Sequence, residues 1–202
     1  MRRPARPRPI SNGMRTILPA HSNPLLRKTA KDIVLADIKS IRIKRLIQEM
    51  KALLAKEEYG VALAAPQVGE PLRLFIVSGK AIARGARSAQ HEPGDKIHVR
   101  PPARGGSALG GDQIYINPKL IKVSRKKAGK HEGCLSIRGK WGIVPRAEKA
   151  TIEAYDENGK HFMRGASGFL AHVFQHEMDH LEGILYTDKA KELYDEKEEA
   201  RR

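Results

Sequence analysis

Gln175-His176-Glu177-Met178-Asp179-His180 is the stretch on which the reading of this chain turns. Two histidines four positions apart, with a glutamate after the first, share one face when the backbone is helical, because i and i+4 lie one turn apart. That face offers both imidazoles to a single metal ion and sets Glu177 beside it. Outward from the motif, Leu170, Val173, Phe174 and Leu181 fall near the same stripe. The spacing therefore predicts a helix over 168–182, stopped by Gly183, with its histidines and glutamate turned inward. Burying three ionisable groups costs several kcal/mol unless an opposite charge compensates, and a divalent cation supplies one. Two imidazoles alone leave such a site short of a ligand.

The chain holds one cysteine, Cys134, in Glu132-Gly133-Cys134-Leu135-Ser136. No internal disulfide can form, which excludes a small secreted scaffold held by such bonds. A lone cysteine is by default a small buried apolar residue. A helix that lacks one metal ligand reverses that default. Two neutral imidazoles and a thiolate make a tetrahedral site with its fourth position open to water, a hydrolytic arrangement and not a closed structural one. Gly133 is expected to let backbone approach backbone beside the cysteine. His131, next to a basic run, and His172, four residues before His176 but off the inward stripe, are weaker ligand candidates.

At 202 residues and 22.5 kDa, with 40% apolar residues, the chain suits one globular domain with extensions. No apolar run approaches the roughly 18–20 residues of a membrane span. The net charge of +15 is unevenly spread. Residues 1–15 and 122–130 each carry five basic side chains and no acid, residues 79–111 add +4, and the remaining 145 residues carry about +1. A near-neutral body with basic appendages reads as an enzyme-like domain that rests on a polyanion, without base-specific recognition. The opposing reading is that these runs are solvated loops. Residues 1–13, with Pro4, Pro7, Pro9 and four arginines, read as a flexible basic tail and exclude a secretory signal. Met14 is an alternative start.

Ile43, Leu46, Ile47, Met50, Leu53 and Leu54 predict an amphipathic helix over 37–58, capped by Asp37 or Ser40 and ended by Gly60 in a left-handed turn. Val61–Val68 reads as irregular. Strands are expected at 72–77, 113–117, 120–124, 142–145, 150–155 and 161–164, the last two joined by a tight Asn158-Gly159 hairpin. Between them, 79–111 holds seven glycines and three prolines in 33 positions and reads as a long mobile loop. Residues 188–202, with six acids and five bases, read as a charged helical tail. The organisation expected is thus a tail at 1–13, a catalytic domain at 14–187 and a second tail at 188–202.

Gly60-Val61-Ala62-Leu63-Ala64-Ala65-Pro66-Gln67, Glu132-Gly133-Cys134-Leu135-Ser136 and Gln175-His176-Glu177-Met178-Asp179-His180 resemble, in order, the three signature motifs of peptide deformylase. The likeness spans roughly 14–190 and includes Ile116-Asn117-Pro118 and Val144-Pro145-Arg146-Ala147. It implies an α+β fold of mixed or antiparallel sheets around a central His-Glu-x-x-His helix. It also implies an enzyme that removes the formyl group from the formylmethionine of nascent chains and releases formate. Carried over by residue, Cys134, His176 and His180 become metal ligands and Glu177 the general acid/base. Gln67 and the Leu135 amide become oxyanion donors, Gly60, Val61, Ala62 and Gly133 line the substrate, and Ser136 and Glu132 steady the cysteine loop. Ferrous iron is the ion implied, with zinc, nickel or cobalt able to replace it. A cation there lowers the pKa of its water, and Glu177 accepts a proton as that water attacks the formyl carbonyl. The implied partners are formylmethionyl nascent peptides and, through the basic segments, the ribosome near its exit tunnel, with no membrane and no sequence-specific nucleic acid. A bacterial cytoplasm is the expected location, with an organelle as the alternative.

Two departures stand out. The family pattern carries a second glycine where this chain has Ala62, whose methyl would narrow the cleft or restrain the backbone that pairs with the peptide. The connection at 79–111 is also longer than usual. Two rival readings are a metallopeptidase using the same His-Glu-His face and a basic ribosome- or RNA-binding protein that keeps a metal only for structure. Gln67 argues against both, since neither needs an amide there.

Overall fold

Side chains along three short apolar runs alternate between two buried faces, and that alternation sets the architecture. In the computed structural model, which describes residues 15–83 and 111–195, these runs are strands β1 (Ala62–Ala64) and β2 (Leu74–Val77) and the start of β3 (Gln113–Val123). They pair antiparallel with β6 (Lys149–Tyr155) and β7 (His161–Ser167) into a five-stranded sheet ordered β1-β2-β3-β6-β7. A second antiparallel sheet is ordered β4-β5-β8, from β4 (Lys127–Cys134), β5 (Ile137–Ala147) and β8 (Glu192–Asp195).

One face of the large sheet, through Ala62, Ala64, Phe75, Val77 and Tyr115, packs on Leu170, Val173, Phe174, Met178 and Leu181 of the motif helix, α2 (Gly168–Leu181). The opposite face, through Leu63, Leu74, Ile76, Ile114 and Ile116, packs on Ile43, Leu46, Ile47, Met50 and Leu54 of α1 (Ile41–Lys56). Each large apolar side chain buried this way contributes on the order of 1.5–3 kcal/mol. The α+β reading holds, and among the described residues all strand pairs are antiparallel.

Several boundaries differ from expectation for local reasons. Ser40, whose Oγ accepts the Ile43 N–H at 3.3 Å, caps α1, so the helix begins at 41 and Leu35–Asp37 is a separate 3-10 turn. Glu57, in extended conformation, ends it. Gly60 is not left-handed. It is needed because a Cβ there would lie 2.8 Å from the Leu54 carbonyl oxygen. Residues 62–64 of the supposed irregular segment form β1, and a 3-10 turn follows at Ala65–Val68. The strands expected at 113–117 and 120–124 are one strand, bent at Asn117, which takes φ 49° while its side chain bonds both the N–H and the carbonyl of Ile33 at 2.7 Å. The β6–β7 hairpin is not a two-residue turn. Tyr155 pairs with His161, and the Asp156 carboxylate closes the loop by accepting the N–H groups of Asn158 and Lys160.

The sequence predicts no strand at 127–134, where the end of a basic run meets the cysteine motif, because the lysines and glycines of β4 carry no apolar alternation. Within the expected helical tail, 192–195 is a strand on β5, preceded by a one-turn helix, α3 (Tyr186–Lys189). Residues 79–83 of the long connection begin as a helical turn, with the Gly79 N–H donating to Asp112 Oδ1 at 3.0 Å. The expectations for 1–14, for the rest of that connection at 84–110 and for 196–202 lie outside the described residues. No helix among the described residues is long and apolar enough to cross a membrane.

Candidate metal centre

Cys134 is the last residue of β4, and Leu135 and Ser136 form the two-residue turn into β5, in which Cys134 pairs with Ile137. Neither turn residue has a positive φ, so this is not a primed hairpin turn. Gln175 ties that sheet to α2. Its Nε2 donates to the carbonyls of Ala147 and Ala171 at 2.9 and 2.8 Å, and its Oε1 accepts the Ala147 N–H at 2.9 Å. Beyond the C-terminus of α2, Gly183 takes φ 75°, and a Cβ there would lie 2.8 Å from the Arg27 carbonyl carbon. Both the turn and the close passage require glycine.

These elements bring Cys134, His176 and His180 together, with one ligand atom from each lying within 4.8 Å of the others. Cys134 Sγ is 3.3 Å from His180 Nε2. Tetrahedral bonds of about 2.0–2.3 Å place ligand atoms roughly 3.3–3.6 Å apart, so this edge already has metal-site dimensions. The two imidazole rings stand 4.8 Å apart at 87°. His176 Nδ1 meets Glu132 Oε2 at 2.9 Å, which leaves Nε2 for the centre.

The electrostatics suit a cation. Burial pushes the Cys134 thiol up, but the His180 and His176 imidazoles overcome it and hold the group well below the usual thiol range. Burial also pushes the Glu177 carboxyl up to about 6, against the pull of His176 and His180. Glu177 Oε2 is buried with no hydrogen-bond partner among the described residues. An unpartnered carboxylate oxygen beside a thiolate-favouring pocket fits a divalent cation.

A charge network stands behind His176. Glu132 accepts from Arg146 Nε at 2.7 Å and Nη2 at 2.9 Å as well as from His176. Arg146, 3% exposed, also donates Nη1 to Asp179 Oδ2 at 2.5 Å, and Lys189 Nζ donates to Asp179 Oδ1 at 2.6 Å. Burial would raise the Glu132 carboxyl, but the hydrogen bonds from Arg146 and His176 outweigh it and bring it to about 2. Glu132 thus orients a histidine, where the sequence reading had it steady the cysteine loop. The sequence assigns Arg146 no role, although an arginine between the apolar Ile143-Val144-Pro145 and Ala147 is a signal of a buried partner. The Tyr186 ring stacks over His176 with centroids 6.2 Å apart, and nothing in the local pattern marked it.

Gln67, 2% exposed, lies in the 3-10 turn after β1. Its Oε1 accepts the Ala64 N–H at 2.8 Å, which leaves Nε2 facing Cys134 Sγ at 3.5 Å and Ser136 Oγ at 3.3 Å. Gly60, Val61 and Ala62 lead into β1, the edge strand of the large sheet. The Ala62 methyl packs in the cluster shared with α2. Gly133 does not mark a close backbone approach: a Cβ there would meet the Trp141 indole at an ordinary 3.4 Å. His131 is exposed and bonds the Tyr194 hydroxyl. His172 is buried, contrary to its assigned place off the inward stripe, and joins no metal-capable group among the described residues. A separate cavity of about 320 Å³, lined by Asp32, Val34, Leu35, Asn117 and Tyr155 among others, shares no residue with the Cys-His-His group.

The family model described as polypeptide deformylase matches residues 14–196. A peptide deformylase of Christiangramia forsetii is 37% identical over 179 residues, 88% of this chain and 83% of the relative. A chloroplastic peptide deformylase 1A of Solanum lycopersicum is 36% identical over 167 residues, 83% of this chain, which spans 56% of that relative's length. A crystal structure of an Arabidopsis thaliana peptide deformylase with an inhibitor superimposes with a TM-score of 0.67 at 32% identity, covering 88% of this chain and 82% of that one. The match runs from the residue before the described N-terminal segment to the strand that closes the second sheet, taking in all three motifs, and the chain belongs to the polypeptide deformylase family.

Proposed function

We propose that this chain hydrolyses the N-formyl group of formylmethionyl nascent peptides, with Cys134, His176 and His180 holding a divalent cation, ferrous iron in the cell, and Glu177 moving the proton. The observation that carries this reading is the convergence of one sulfur and two imidazoles from distant elements beside a buried carboxylate oxygen that lacks a partner among the described residues. When bound, the cation supplies Lewis acidity and lowers the pKa of a water at the open position.

Glu177 takes a proton from the attacking water as the water oxygen adds to the formyl carbon, then returns it to the amine nitrogen as the C–N bond breaks. Formate and a free N-terminus result. Its raised pKa suits a group that must accept and give back a proton near neutrality. Gln67 Nε2 and the Leu135 N–H donate to the developing oxyanion, a contribution of roughly 3–4 kcal/mol per well-placed donor. Glu132 keeps His176 in the tautomer whose Nε2 faces the cation. Among the described residues β1 is an edge strand, its Ala64 N–H taken by Gln67 Oε1, and the peptide adds along the rest of that edge as a strand, with Gly60, Val61, Ala62 and Gly133 flanking the path. Nascent formylated chains as substrate support a place at the ribosome, in a bacterial cytoplasm or, as the alternative, in an organelle.

The test is formate release from formyl-Met-Ala-Ser by anaerobically prepared, iron-replete protein. Turnover that depends on the formyl group supports the reading. Cleavage of internal peptide bonds with the formyl group left in place refutes it.

A further inference from the structure

Residues 18–27 belong to neither sheet, yet their polar groups reach the two turns that carry Gln67 and Leu135. Asn23, 2% exposed, caps the 3-10 turn Pro24–Arg27 through its Oδ1, which accepts the Leu25 N–H at 3.2 Å. Its Nδ2 donates to the Pro66 carbonyl at 2.8 Å. Earlier in the segment, the Leu18 N–H donates to the Gln67 carbonyl at 2.9 Å. The planar peptide groups on both sides of the Gln67 Cα are thus held from one segment, and with them the direction in which the Gln67 side chain leaves the backbone. Between these two bonds, the Ala20 N–H donates to the Ser136 carbonyl at 2.8 Å, at the far end of the turn that presents the Leu135 N–H. Gln67 Nε2 and Ser136 Oγ, 3.3 Å apart, close the circuit. The segment is itself anchored: Arg15 donates to Glu49 and Glu70, both at 2.7 Å, and the Ala30 N–H donates to the Leu181 carbonyl at 2.8 Å, at the end of α2.

We propose that Asn23 is a positioning residue for deformylation: its amide, with the Leu18 and Ala20 N–H groups, holds Gln67 Nε2 and the Leu135 N–H at the spacing a single oxyanion requires. The inference rests on the oxyanion roles given to those two groups above. The Pro66 carbonyl also accepts the Gly69 N–H at 3.2 Å, so it is satisfied without Asn23. A second donor on that oxygen adds direction more than satisfaction. Oxyanion donors stabilise the transition state to the extent that they are fixed in advance, and displacement by about 1 Å from a distant change costs up to about 100-fold in rate. None of the Asn23 hydrogen bonds reaches Cys134, His176 or His180, so cation binding does not depend on it.

A residue that only capped its turn would be dispensable to the chemistry. Asn23→Ser and Asn23→Asp separate the two roles, because each keeps an oxygen for the Leu25 N–H and removes the donor to Pro66. Both are measured as holoenzyme on formyl-Met-Ala-Ser, alone and combined with Gln67→Leu. The control is Arg27→Ala, which breaks an exposed ion pair with Asp188 on the same segment. In the two Asn23 variants kcat per bound cation is expected to fall about 10–100-fold, with KM within about twofold. Their Tm should drop by about 2–4 °C, the loss of one buried hydrogen bond. Added to Gln67→Leu, the same substitutions should lower kcat by less than about threefold, since the donor they position is already gone. Arg27→Ala should keep kcat within about twofold. A lowered Tm or cation content with kcat per bound cation unaltered overturns the proposal. So does a loss that multiplies with that of Gln67→Leu, an equal loss in Arg27→Ala, or failure of both Asn23 variants to fold. Normal kcat in Gln67→Leu alone would instead strike the oxyanion reading, so the two failures are distinct.

Discussion

Replacing Glu132 with glutamine removes one negative charge from a point where three donors converge. Wild-type Glu132 receives two bonds from Arg146 and one from His176 Nδ1, at 2.7–2.9 Å, and is 8% exposed. Two routes give the size of the loss. Moving the carboxyl from 4.5 to about 2 corresponds to about 3 kcal/mol of preference for the charged form in the fold. Breaking a buried ion pair by removing one member costs about 3–5 kcal/mol. Arg146 keeps its bond to Asp179, which argues for the lower end, about 3 kcal/mol. For a chain of this size that is a fall of about 6–12 °C in Tm. Because His176 loses the group that orients it, cation affinity should fall about 10–100-fold. Both quantities are read on holoenzyme, by thermal melts and by competition with a chelator. The pH dependence supplies a sign check. The folded pKa lies below the unfolded value, so the stabilisation is fully present above about 4.5 and is lost as pH falls toward about 2. Wild type and Glu132→Gln should therefore converge in stability through that window. A variant melting within about 2 °C of wild type at neutral pH, with cation affinity within about twofold, would refute the view that this carboxylate links Arg146 to His176.

Glu177→Gln should keep the cation yet lose about 10²–10⁴ in turnover; a variant that stays active has its proton carried elsewhere. Because the carboxylate is the working base, wild-type activity should fall as pH drops, with an acid limb at or below about 6, since a bound cation favours the charged form. Cys134→Ala should release its cation to a chelator far faster than wild type, and full retention would remove the sulfur from the ligand set. Gln67→Leu should lower kcat about 10²–10³-fold with less effect on KM, as removal of an oxyanion donor does, whereas an effect on KM alone would make Gln67 a binding residue. Ala62→Gly should cost about 0.5–1 kcal/mol of stability in an edge strand and raise kcat/KM if the methyl restrains the backbone that meets the peptide. Unaltered kinetics would show that the methyl serves only its packing against α2.

The motif helix and its stripe were legible in the sequence because helical period is a local property: His176, Glu177, His180, Leu170 and Phe174 face one way whatever surrounds them. The same holds for α1 and for the apolar alternation of β2, whereas 62–64 reads as irregular and becomes β1 through its pairing with β2. The sole cysteine and the three ordered motifs pointed to the ligand set by chemistry and resemblance. β4 escaped, because strand character there comes from pairing with β5 and not from its own lysine- and glycine-rich sequence. The strand at 192–195 escaped likewise, since a charged segment takes the conformation its neighbour offers. Tertiary structure alone decided that Glu132 reaches His176 and Arg146, that Arg146 lies between two carboxylates, and that Gln67 turns its nitrogen toward Cys134. Those facts depend on contacts between residues far apart in the chain, where burial and charge balance are set by the packed whole and leave no local period to read.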